Sequence, residues 1–171
     1  QTLWQILPLG PTGYGDSPYQ ALSSFALNPS LISLDWLVEE GLLTPEEAAT
    51  ARVNQDSSVD FERVHQLKAP LVAKAHQNFW KQDECSAHRR GFEAFMERER
   101  FWLQDYALYA ALKTTFGRKA WTDWPSRYRD RDPAALKGFL GQNRMAVSQI
   151  IFEQYILWQQ WSSLRAHARE L

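Results

Sequence analysis

Tyr14, Asp16, Ser17 and Tyr19 stand together in the stretch GPTGYGDSPYQ, which runs from Gly10 to Gln20. A phenol ring packs its face against a flat apolar surface while its hydroxyl donates and accepts hydrogen bonds. The neighbouring Asp and Ser add an acceptor and a second hydroxyl. A plain turn needs one or two special residues, because Gly supplies positive φ and Pro fixes φ near −65°; this stretch holds Gly10, Gly13, Gly15, Pro11 and Pro18. That density points to backbone shaped to fit a surface or a ligand. A purely structural account has Asp16 and Ser17 capping a turn while Tyr14 and Tyr19 pack. Position favours the functional one: the loop follows an apolar run, and the loops after strands are where α/β barrels place ligand groups.

Other reactive residue types do not form sites by spacing. GPTGYG lacks the Gly-Lys-Ser/Thr ending of a phosphate loop. His65, His76, His88 and His167 show no metal-ligand spacing and read as solvated or helix-face histidines, so no metal is expected. The single cysteine, Cys85, excludes an internal disulfide and suits a reducing cytoplasm. Asp83-Glu84, Glu97–Arg100 and Arg127–Asp132 read as solvated charged faces with weak ion pairs.

Nineteen Lys and Arg nearly balance 20 Asp and Glu, which removes any net field toward nucleic acid or an anionic membrane. No run approaches the ~20 apolar residues of a membrane span. A chain of 171 residues is long enough for a real core. Eight Trp, nine Phe and six Tyr fill that core for the most part, with some left over as stacking platforms.

The elements that must position the loop follow from pattern. Thr2–Leu9 is apolar except for Gln5 and bounded by Pro and Gly, the signature of a fully buried parallel strand. Ala21–Leu34 reads as a packed irregular segment, because Asn28-Pro29 disfavours helix. Asp35–Glu40 forms a helical turn or two that Gly41 ends, and Thr44-Pro45-Glu46-Glu47 is a capping box that starts a short helix. Asp60 caps a longer helical region in which Pro70 makes a kink or a new start. Beyond the polar stretch Lys81–Arg90, helices are expected over 102–116, ended by Gly117, and 133–139, capped by Asp132. Between these two, Trp121–Pro133 reads as a loop. A long last helix covers 145–171, with Val147, Ile150, Ile151, Gln154, Tyr155, Leu157, Trp158, Trp161 and Leu164 inward or partly inward. One strand has no partner for its backbone groups within the chain. Both ends look cut, and the expectation is an interior piece of something longer.

Here the residues carry a resemblance. WQILPLGPTGYGDSPYQ (Trp4–Gln20) closely resembles the amylomaltases, the bacterial 4-α-glucanotransferases or disproportionating enzymes. SSFALNPSLISL, EEGLL, FWLQDYALYAALKTTFG, WTDWP and FEQYILWQQWSSL continue the resemblance in order along the chain. It implies an α/β parent fold, a (β/α)8 barrel, of which this chain is a mostly helical piece. Residues 1–20 would be a barrel strand plus a substrate-cleft loop, 21–100 a helical insertion and 101–171 barrel-associated helices, with no independent second domain. The implied activity is transfer of α-1,4-glucan segments between maltooligosaccharides by a retaining mechanism without a cofactor. The implied partners are those glucans and the remainder of the same barrel, in the cytoplasm, with no nucleic acid and no membrane.

Carried over position by position, the resemblance puts Tyr19 beside the cleaved bond, Ser17 on the sugar and Tyr14 stacked on bound glucan. Gly13, Gly15 and Pro18 fix the loop backbone, and Asp16 holds the turn. The catalytic acids lie on later strands, so none is expected in this chain. The competing class is a non-catalytic glucan-binding or helical interaction module.

Overall fold

A computed structural model describes residues 3–53 and 58–170. Eight helices cover most of them: α1 (Leu34–Glu39), α2 (Pro45–Ala49), α3 (Phe61–Lys81), α4 (Ala87–Arg98), α5 (Leu103–Thr115), α6 (Ser126–Arg129), α7 (Pro133–Gln142) and α8 (Arg144–Glu170). Single 3-10 turns stand at Tyr14–Asp16, Pro29–Leu31 and Trp121–Asp123.

The start signals act where the sequence puts them. Thr44 and Glu47 form the capping box, the Thr44 hydroxyl accepting from the Glu47 N–H at 3.3 Å and the Glu47 carboxylate from the Thr44 N–H at 3.0 Å. Asp60 accepts from the Arg63 N–H, and Asp132 from the Ala135 N–H. Ser86 caps α4 in the same way, so that helix begins inside the polar stretch rather than after it. Phe116 and Gly117 close α5 with the Gly117 N–H on the Thr114 carbonyl and the Arg118 N–H on the Lys113 carbonyl.

Three expectations need correction. The strand over Thr2–Leu9 is not formed across residues 3–9, and Thr2 lies outside the described residues. A strand requires a neighbouring backbone, and Leu3, Trp4 and Leu7 stand 90%, 65% and 56% exposed. Of the kink and the new start offered for Pro70, the new start is not found: α3 continues from Phe61 to Lys81; a proline in mid-helix removes one backbone donor, and packing on one face offsets that loss. Trp121–Pro133 is not wholly a loop: the 3-10 turn occupies its start and α6 its middle.

Two cores meet on α8. The larger joins Leu71, Val72, Ala75 and Phe79 of α3 and Phe92 and Phe95 of α4 to Phe152, Tyr155 and Ile156 of α8, with Ile32, Leu37, Leu42 and Leu43 closing one side. Its rings meet edge-on or tilted: Phe79 lies 5.3 Å from Phe92 and 5.2 Å from Phe152, and Phe92 lies 5.4 Å from Tyr155. Each such pair contributes about 0.5–1.5 kcal/mol beyond its buried area. The smaller core joins Ala107, Ala111 and Leu112 of α5 to Trp124, Phe139 and Val147. Because α8 is covered by α3 and α4 on one flank and α5 on another, Phe152 and Ile156 are buried along with the expected Tyr155 and Leu157. A helix packed on several sides buries residues all round rather than along one stripe.

Of the solvated and helix-face readings, His76 takes the second. It is 2% exposed between α3 and α8, with its Nε2 2.7 Å from the Trp80 indole nitrogen, which donates to it, and 3.0 Å from the Ser148 hydroxyl. Burial pushes its pKa down.

Candidate functional site

The Gly10–Gln20 stretch turns back on itself. Residues 9–13 run antiparallel to 20–28: the Gly13 N–H donates to the Gln20 carbonyl at 2.9 Å, the Leu22 N–H to Pro11 and the Asn28 N–H to Leu9, each at 2.8 Å. Thr12 and Ala21 form an isolated antiparallel bridge between these runs. A β-carbon on Gly13 would stand 3.0 Å from the Gln20 carbonyl oxygen, so the approach of the two runs depends on its absence. Gly15 at φ +70° and Asp16 at φ +52° then reverse the chain through the 3-10 turn. At Asp16 the left-handed conformation is costly for most side chains but tolerable for an aspartate that hydrogen-bonds locally. Its carboxylate accepts from the Thr12 hydroxyl at 3.2 Å.

After this, Ser17–Gln20 closes a β-turn, the Gln20 N–H donating to the Ser17 carbonyl at 3.1 Å with Pro18 at the position that favours φ near −65°. Tyr19 sits at the tip of that turn, 76% exposed. The Ser17 hydroxyl oxygen lies 3.4 Å from the Tyr19 backbone nitrogen, a weak contact in which it accepts. Gly15, Asp16, Ser17, Pro18 and Tyr19 are thus gathered at one loop tip. The side chain of Tyr14 lies outside the described part of the structure. Asp16 holds the turn, while Tyr19 presents its ring outward instead of packing.

Sequence spacing did not reveal what braces the loop. His65 of α3 stands with Nε2 3.9 Å from the Asp16 carboxylate and its ring within 3.3 Å of the Ser30 hydroxyl. Three residues on, the Lys68 ammonium donates to the Ser30 and Ile32 carbonyls, both at 2.8 Å, and burial lowers its pKa. One face of α3 therefore holds both the loop tip and the Pro29–Leu31 turn. The i, i+3 spacing of His65 and Lys68 is the only sequence trace of this arrangement.

Among the described residues no group of three or more His, Cys, Asp or Glu side chains is placed to hold a metal ion, and no helix is long and apolar enough to cross a membrane. What the loop offers is an exposed phenol at Tyr19 and a hydroxyl at Ser17 on a backbone turned by Gly15 and Asp16.

The comparisons with known proteins bear on what it binds. A family model described as 4-alpha-glucanotransferase matches residues 1–171. A 4-alpha-glucanotransferase of Thermus thermophilus is 40% identical over 168 residues, 98% of this chain and 33% of the relative. A Streptococcus pneumoniae enzyme of the same name is 38% identical over 99% of this chain and 33% of its own length. Among solved structures, amylomaltase from Streptococcus agalactiae in complex with acarbose superposes with a TM-score of 0.90 at 32% identity, covering 98% of this chain and 33% of that one. The chain spans about a third of the length of the curated relatives it matches. Matched from its first residue to its last, the chain belongs to the 4-alpha-glucanotransferase family.

Proposed function

We propose that the intact protein transfers α-1,4-glucan segments between maltooligosaccharides with retention of configuration, and that Gly10–Gln20 walls its substrate cleft. The observation that carries this reading is the likeness along the whole chain to an amylomaltase whose structure holds acarbose. The exposed Tyr19 at the loop tip supports it locally.

In this reading Tyr19 packs its ring against a pyranose face beside the cleaved bond, Ser17 donates to a sugar hydroxyl, and Tyr14 stacks on bound glucan. Asp16, Gly15 and Pro18 hold the tip. Retaining transfer requires two carboxyl groups about 5–5.5 Å apart, one as nucleophile and one as acid and then base. Those groups belong to the remainder of a (β/α)8 barrel, so this chain binds and orients glucan and moves no proton of the reaction.

The same reading divides the chain into strand and loop over 1–20, helical insertion over 21–100 and barrel-associated helices over 101–171. The exposed apolar side chains of Leu3, Trp4 and Leu7 suit a strand that forms when neighbouring barrel strands pair with it. The protein acts in the cytoplasm, on glucans, without a cofactor. Incubating the intact protein with maltotriose and separating the products by chain length tests the activity.

A further inference from the structure

Between α5, the Trp121–Asp123 turn, α6 and α7 lies a cavity of about 270 Å³ to which no residue of the Gly10–Gln20 loop contributes. That is a little below the ~300–1,000 Å³ of sites for larger organic ligands, a size for one ring rather than several. Tyr109, Trp124 and Tyr128 form aromatic wall, and Trp121, 53% exposed, offers a further ring.

The polar lining is electrically neutral. Arg131 donates to Asp105 at 2.9 Å, and Arg129 donates twice to Asp130, at 2.8 and 3.1 Å. Both lining arginines are therefore already paired, which disfavours a phosphate or carboxylate ligand. An exposed Arg–Asp pair still presents donors and acceptors side by side, the combination that sugar hydroxyls use. Flat aromatic surface and neutral paired charges together match a neutral polyhydroxylated ring.

We propose that this cavity takes one glucosyl unit of an α-1,4-glucan, as a contact separate from the Gly10–Gln20 loop. The inference rests on the glucan reading given under Proposed function. Trp121 supplies the stacking face and the Asp105–Arg131 pair the hydroxyl contacts.

The test uses the intact protein carrying 5-fluorotryptophan, with the Trp121 resonance assigned from Trp121→Phe. Titration with maltose should move that resonance saturably. In native gels containing glycogen, Trp121→Ala should bind about tenfold more weakly than the wild type, as loss of an aromatic anchor does. Arg131→Ala should weaken binding in the same direction, and Trp121→Phe should retain most of it. If Trp121→Ala fails to fold, the labelled wild type and Arg131→Ala still decide. A Trp121 resonance unmoved by saturating maltose, or glycogen binding unchanged in the folded variants, overturns the proposal. A wild type that makes no longer glucans from maltotriose removes the reading beneath it, an outcome told apart because it needs no variant.

Discussion

Gln154 of α8 holds Leu27 by both of its backbone groups: its side-chain oxygen accepts from the Leu27 N–H at 2.8 Å and its side-chain nitrogen donates to the Leu27 carbonyl at 2.9 Å. Gln160, nearly two turns further along α8, repeats the arrangement on Ser33 at 2.8 and 3.2 Å. Two primary amides thereby stand in for a neighbouring strand along the irregular segment that follows the loop. Gln154 is 2% exposed, so its loss leaves two partly buried backbone groups of Leu27 unpaired. Gln154→Ala should destabilise the intact protein by roughly 2 kcal/mol or more. Gln160→Ala, at the exposed pair, should cost less than about 1 kcal/mol. Urea unfolding of the two variants checks the order, and equal losses would contradict it.

A second prediction concerns how closely α4 and α8 approach. A β-carbon on Gly91 would stand 2.6 Å from the Tyr155 hydroxyl, which donates to the His88 carbonyl at 3.1 Å. Gly91→Ala should cost about 1–3 kcal/mol through overpacking. Adding Tyr155→Phe removes the clashing atom, so the double variant should lose less than the sum of the singles. Strict additivity in thermal unfolding would show that the two residues do not meet.

Glu153 carries the clearest pH signature. Burial lifts its pKa from 4.5 to about 7, opposed only in part by the Gln149 side chain, which donates to it at 3.0 Å. Burial first, then the nearby Glu153 charge, raises Tyr106 well above the usual phenol range. A carboxyl whose folded pKa is raised favours folding while protonated, and that contribution is lost as pH climbs from about 4.5 to about 7. Glu153→Gln should therefore raise the melting temperature more at pH 8 than at pH 5. A gain independent of pH would exclude Glu153 as the titrating group.

At the loop, Tyr19→Phe should lower the transfer rate while leaving the melting temperature within about a degree, since the hydroxyl of an exposed side chain supports no fold contact. Tyr19→Ala removes the ring as well and should reduce kcat/KM about tenfold or more further. Parallel losses of rate and stability would instead make Tyr19 a structural residue.

Much of this architecture was legible because its signals are local. Thr44, Asp60 and Asp132 each declare a helix start within a few residues, and Gly117 an end. The density of Gly and Pro in Gly10–Gln20 likewise announced a shaped loop, though Asp16 is held by the Thr12 hydroxyl rather than by a backbone donor. What was not legible depends on distant partners. Gln154 reads as an inward helix position, but its partner Leu27, 127 residues away, leaves no mark in the sequence. His65 looks solvated until α3 brings it to Ser30 and Asp16. Ser86, a single polar residue in a polar run, gave too weak a signal to place the start of α4. The strand expected over Thr2–Leu9 shows the opposite limit: apolar pattern marks residues fit for a sheet, and a neighbouring strand is still needed to make one.

The central claim is settled most directly by the fate of maltotriose. The intact protein, incubated with that single sugar, should yield glucose together with a ladder of maltooligosaccharides longer than three units. The ladder arises because a retained glycosyl group passes to another sugar's 4-hydroxyl. No ladder, or glucose and maltose alone in equal amounts as simple hydrolysis gives, would contradict the transferase account.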